Sequence, residues 1–286
     1  MSPSTSLRAA SVATGPPVVD GTRRELIQRA VSGLLLAAIV VADVIVGGWS
    51  FSTLVAVCAV LMAIEWGRLA TKRHRRPDLV PVIVVPTAAA AIAGILLGKL
   101  VAGWAAVAVI AGAALVLGAI AHHRRWPVGW LAFGVLYVGL APAILVWLRN
   151  ATEDGLVFVL FLFAAVWAAD TAAFFAGRAV GGPKLAPRLS PNKTWAGFGG
   201  GVLGAAVAGA LMAWTFALPF VGGAAGLGAV LGAVAQGGDL FESWLKRRCG
   251  AKDSGRLIPG HGGVLDRLDG LIFATPAFAL FAVFHP

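Results

Sequence analysis

Between Ser243 and Asp269 the chain reads SWLKRRCGAKDSGRLIPGHGGVLDRLD. Six cations, three acids, one His and a Gly-Gly pair crowd this stretch, and long apolar runs flank it. Charged residues make up only 13% of the chain, so this density is not background. Asp239 and Glu242 stand three apart just upstream, on neighbouring positions of one helix face, and Ser243 and Lys246 continue that stripe. Asp266 and Asp269 repeat the spacing on the next helix. Both pairs fall at the same ends of antiparallel spans and offer oxygen ligands to one water-accessible pocket. Oxygen donors without a His or Cys cluster suit Mg²⁺, which prefers carboxylates, water and substrate phosphates. The competing reading is a structural ion-pair network with Lys246, Arg247 and Arg267, but four acids exceed what that network needs.

Two polar loops surround these acids. One ends in Ser190-Pro-Asn-Lys193-Thr194, where Pro191 suits a turn into a helix and the hydroxyls with Lys193 suit an anion. The other carries Lys252-Asp253 and His261-Gly262-Gly263. Its glycines allow close backbone approach to a ligand. His261, five residues before Asp266, is a candidate phosphate contact or acid–base group. Metal ligands among many cations solve one problem, bringing a phosphate nucleophile to a second, highly charged phosphate. Such transfer is largely positioning and charge stabilisation. No Ser/His/Asp arrangement suggests a covalent intermediate.

The elements that position these residues must be membrane helices. The chain is 59% hydrophobic, whereas soluble domains average about 45–50% apolar and about 25% charged. Nine apolar segments can be drawn in 286 residues, roughly 28–47, 51–70, 79–98, 101–120, 128–148, 155–176, 196–217, 222–245 and 264–284. The third and fourth should form a tight helical hairpin. Residues 1–25, rich in Ser, Pro and Thr, read as a mobile cytoplasmic tail, followed by five N-terminal spans over 26–150 and a catalytic membrane region over 151–286. Arg23, Arg24 and Arg29 mimic a signal peptide, but the many following spans favour a retained first helix. With the N-terminus inside, every cation except Lys99 and Arg149 falls on the cytoplasmic side. The net charge of +10 therefore reports topology and does not imply nucleic acid.

Cys58 and Cys249 offer neither a disulfide framework nor metal-ligand spacing. The glycines of the seventh and eighth segments read as close helix packing rather than a phosphate cradle. A carboxylate at the bilayer centre costs about 2.5–3.5 kcal/mol, so each intramembrane acid needs a partner or a wet cavity. Asp43 and Glu65 are read as isolated structural acids, each paired to a neighbouring helix or near an interface. Asp170, about two turns from the end of its span, is as readily functional as structural.

The segment resembles the signature of the phosphatidate cytidylyltransferase (CDP-diacylglycerol synthase) family. Ser243, Leu245, Lys246 and Arg247 match its opening. Lys252-Asp253, Gly255, Ile258-Pro259, His261-Gly262-Gly263, Val264 and Asp266-Arg267-Leu268-Asp269 follow. Gly238-Asp239 with Glu242-Ser243, Ser190-Pro-Asn-Lys-Thr194, and Asp170 with Gly177-Arg178 are similar too, although Asn192 stands where members often carry Lys. Roughly the C-terminal 120 residues carry the likeness, and the first half matches only as generic membrane helices. The resemblance implies an all-α polytopic enzyme that makes CDP-diacylglycerol and pyrophosphate from CTP and phosphatidate. It implies Mg²⁺ on Asp239 and Asp266, with Asp170, Glu242 and Asp269 in reserve. Catalytic roles fall to these two acids with Lys252, Asp253, His261, Arg267 and Asp269. Substrate contacts fall to Ser190, Lys193, Thr194, Ser243, Lys246, Arg247, Gly262 and Gly263. A second cation such as K⁺, a homodimer, and a bacterial plasma membrane with a cytoplasmic active site are further implications. The rival readings are a phosphosugar–polyprenyl-phosphate transferase and an ion-coupled transporter, although no internal repeat of the transporter kind is visible.

Overall fold

An apolar run of about twenty residues can satisfy its own backbone in hydrocarbon only by coiling, and each such run is a helix here. The computed structural model describes residues 19–151, 154–255 and 262–284. Nine α-helices lie among them: α1 (Val19–Val46), α2 (Gly48–His74), α3 (Val80–Leu100), α4 (Gly103–His123), α5 (Val128–Ala151), α6 (Gly155–Val180), α7 (Trp195–Thr215), α8 (Val221–Arg248) and α9 (Leu265–Phe284). They coincide with the nine apolar segments. The short turn expected between the third and fourth is the Val101–Ala102 link. Seven segments, α2 to α8, are long and apolar enough to cross a membrane, and the apolar part of α1 runs over Gly33–Val46. The chain is an all-α polytopic membrane protein.

Residues 1–39 and 40–286 form two units. The described part of the first is the leading portion of α1, which begins at Val19, inside the segment read as a tail. Residues 1–18 lie outside the described residues.

Long-range contacts sort the second unit into two ends. At one end Lys72 and Arg73 of α2 donate to the carbonyls of Gly250 and Arg248, at 3.0 and 2.6 Å. Arg73 also lies over the Trp130 ring at the start of α5, 5.8 Å from its centroid. At the other end Arg149 donates to the Val44 carbonyl at 2.8 Å, and Lys99 reaches Asn150 and the Trp49 ring. The two cations that charge patterning set apart thus share the end opposite to the Lys72–Arg73 cluster.

Small residues let the last helices touch. A side chain at Gly201 would lie 2.9 Å from the Ala169 carbonyl, and one at Gly204 would lie 3.0 Å from that of Ala168. These glycines seat α7 on α6, the close-packing role read from sequence. Between α2, α5, α8 and α9 an aromatic cluster forms the floor of the polar end. Trp66, fully buried, stacks on Trp130 and tilts against Phe133 and Tyr137, with centroids 5.6 Å away in each case. Phe241 of α8 and Phe273 of α9 join it at 5.3 Å from one another.

One element escapes the apolar pattern. The loop before α7 folds into a β-hairpin, β1 (Lys184–Ala186) and β2 (Ser190–Thr194), antiparallel with Lys184 opposite Thr194 and Ala186 opposite Ser190. Five residues too polar to cross a bilayer leave no hydrophobic trace of a strand. The backbone pairs because Pro183, Pro187 and Pro191 keep the segment from coiling.

Candidate active site

The hairpin positions the first pair of residues. Thr194 ends β2 and begins α7. Its hydroxyl accepts the Gly197 amide at 3.0 Å, so this buried side chain is the helix cap. Ser190 is half-buried, and Lys193, one residue before the cap, forms an ion pair with Asp239 of α8. The Ser190–Thr194 loop and the α8 acid, distant in sequence, therefore meet.

The second pair joins α8 to α9. Lys246 stands 3.3 Å from Glu242, one turn back on its own helix, and 2.6 Å from Asp266. The two helices touch closely because residue 238 is glycine: a side chain there would lie 2.7 Å from the Asp269 carbonyl. Asp239 and Asp269 are thereby neighbours, and their carboxylates repel each other. Glu242 is buried beside Asp269, with Lys246 as its cation. Asp170, exposed on α6, is repelled by Asp239 and attracted by Lys193 and Arg267. All five candidate acids thus belong to one electrostatic cluster.

Asp266 is also held by the loop. Its carboxylate accepts the amides of Ser254 and Gly263 at 2.9 and 2.8 Å. Gly262, with φ +85°, makes the turn that aims the Gly263 amide at Asp266.

Glu65 is paired to a neighbouring helix, as its reading from sequence allowed, and that helix is α9. The acid sits on α2, fully buried, and accepts the Val264 and Leu265 amides and the Ser254 hydroxyl, each at 2.9 Å. A side chain at residue 263 would lie 2.5 Å from a Glu65 oxygen, so the second glycine of the Gly-Gly pair makes room for this carboxylate. The only trace of this in the sequence is an acid inside an apolar run.

Lys252, Asp253, Arg247 and Arg267 are exposed, and Ser243 is half-buried on α8. His261, with Arg256, Ile258 and Pro259, lies outside the described residues. Arg248, left unassigned by the signature, is exposed over the Trp244 ring, 4.9 Å from its centroid.

The donor set fits a hard divalent cation. Every candidate ligand is a carboxylate oxygen, and the acids crowd together around Lys193 and Lys246. Among the described residues no three acids converge on one point, so water and substrate phosphate would complete such a site.

Comparison with known proteins gives the family. Residues 27–285 match the cytidylyltransferase family. Over 172 residues the chain is 51% identical to a protein of Brucella suis biovar 1 named phosphatidate cytidylyltransferase, covering 60% of this chain and 63% of that one. Proteins of the same name from Haemophilus influenzae and Bacillus subtilis are 43% and 37% identical, over 54% and 55% of this chain and 56% and 59% of theirs. The matched region thus spans less than two thirds of these relatives. The match over nearly the whole chain places the protein in the cytidylyltransferase family.

Proposed function

We propose that this protein transfers the cytidylyl group of CTP to phosphatidate, giving CDP-diacylglycerol and pyrophosphate. The observation that carries the proposal is the convergence of two lysine–carboxylate pairs, Lys193–Asp239 and Lys246–Asp266, at one end of a membrane bundle. The names of the relatives support a lipid phosphate as acceptor. A phosphatidate oxygen forms a bond to the α-phosphorus of CTP. The bond from that phosphorus to the oxygen bridging to the β-phosphate breaks, and its electron pair leaves on pyrophosphate. The attacking oxygen is already anionic, so no side chain has to take its proton.

The main obstacle is repulsion between two anions, and the chain's residues address it by charge. Lys193, resting on Asp239, and Lys246, resting on Glu242 and Asp266, are the cations best placed to turn to phosphate oxygens. Arg267 and Arg247 present planar forks that can hold two oxygens each. Asp239 and Asp266 would hold Mg²⁺, with Asp170, Glu242 and Asp269 as further donors. Bound there, the ion would neutralise phosphate charge and stabilise the transferring group.

The same reading puts the site on the cytoplasmic side of a bacterial plasma membrane, where CTP is, with nine spans and the N-terminus inside. The sorting of Lys72 and Arg73 to one end and Lys99 and Arg149 to the other supports it. A homodimer and a second cation are compatible with the reading.

The test is to incubate the purified chain in detergent with phosphatidate, Mg²⁺ and CTP, and to follow pyrophosphate and lipid product together. Equal amounts of pyrophosphate and CDP-diacylglycerol are expected. Pyrophosphate without a cytidylylated lipid, or neither product, would overturn the proposal.

A further inference from the structure

Helix α2 lies in the half of the chain that carries no signature residue, yet it grips both ends of the segment that does. Glu65 accepts the amides of Val264 and Leu265 at the start of α9, and Lys72 and Arg73 donate to Gly250 and Arg248 at the end of α8. Glu65 and Lys72 are seven residues apart, two turns along one face, or about 10 Å. The signs match the ends they hold. An anion meets the free amides of a helix N-terminus, and cations meet the free carbonyls of a C-terminus.

The connection to the chemistry runs through Ser254. Its hydroxyl donates to Glu65, while its amide donates to Asp266. Gly263 repeats the arrangement, packing against Glu65 and donating its amide to Asp266. Two carboxylates from opposite halves of the chain thus hold the same short backbone between them. Glu65 is fully buried, and among the described residues its hydrogen bonds go to this segment.

We propose that Glu65 is a positioning residue for the transfer reaction: by fixing Ser254 and residues 263–265 it sets the orientation of Asp266. This rests on the proposed function only for its catalytic consequence. The structural part stands apart from it.

Glu65→Gln is the decisive variant. It keeps the size of the side chain but turns an NH₂ group toward N–H and O–H donors. We expect amide hydrogen exchange of Val264 and Leu265 to accelerate and kcat per folded molecule to fall about 10–100-fold, the range seen for residues that orient a ligand from behind. KM for CTP should move little. Ser254→Ala, a milder lesion, should lower kcat in the same direction, and the double variant should lose less than the product of the two. A purely structural Glu65 would lower thermal stability and leave kcat per folded molecule at the wild-type value, which overturns the proposal. If Glu65→Gln does not fold, wild-type kcat and unchanged exchange in Ser254→Ala overturn it equally. If wild-type protein makes no CDP-diacylglycerol, the functional reading fails. The exchange rates of Val264 and Leu265 in Glu65→Gln then still decide whether the segment is held from α2.

Discussion

Lys193, on the second strand of the hairpin, closes onto Asp239 of α8. Forty-six residues separate the two in sequence, and α7 lies between them. The pair places the polar hairpin directly on a candidate metal ligand, and it gives Asp239 a cation that competes with any metal. Lys193→Met should therefore lower kcat while reducing the Mg²⁺ concentration needed for half-maximal rate. Rates measured across an Mg²⁺ series in variant and wild type would check both. An unchanged Mg²⁺ response would mean that Asp239 and the metal do not compete.

Asp239→Asn and Asp266→Asn should each abolish turnover and leave a folded, membrane-inserted protein. Neutral amides keep the shape but lose the charge a divalent cation requires. Size-exclusion profiles beside initial rates at saturating Mg²⁺ make the measurement. A near-normal rate in either variant would move the ligand role to Glu242, Asp269 or Asp170.

Arg267 and Arg248 are both exposed, but only Arg267 is coupled to the acid cluster, through Asp170. Arg267→Lys should lose substantial kcat despite keeping its charge, because a point charge cannot replace a planar fork. Arg248→Lys, whose guanidinium lies over the Trp244 ring, should be nearly silent. Initial rates against CTP in detergent with phosphatidate compare the two. Equal, small effects would reduce both arginines to diffuse positive potential.

Gly238→Ala should force α8 away from α9, since the new methyl would lie 2.7 Å from the Asp269 carbonyl. Overpacking of this kind costs about 1–3 kcal/mol, and here it also separates Asp239 from Asp269. A lower thermal midpoint together with lost activity is expected, whereas Gly199→Ala, with open space around it, should change neither.

A cysteine at position 188, in the exposed turn of the hairpin, tests sidedness in a background with Cys58 and Cys249 replaced. Impermeant thiol reagents should label it only after the membrane is opened. Labelling of intact cells would place the site on the outer side.

Much of this was written in the residues themselves. Nine apolar runs, each long enough to satisfy its own backbone, marked nine helices, because hydrocarbon leaves a lone segment no other choice. The i, i+3 acids of α8 and α9 were legible for the same reason, since helical spacing sets their faces before any tertiary contact forms. Ser190–Thr194 announced a helix start, and Thr194 caps one. The tertiary structure decided what those faces meet. The hairpin carries no hydrophobic period, so its pairing and the Lys193–Asp239 contact appear only when α7 turns the chain back. The partners of Glu65 were unreadable for a deeper reason. They are backbone amides almost two hundred residues away, and an amide has no letter in the sequence. Packing alone brings α2 to the mouth of α9, where a buried acid that looks solitary along the chain becomes the support for Asp266.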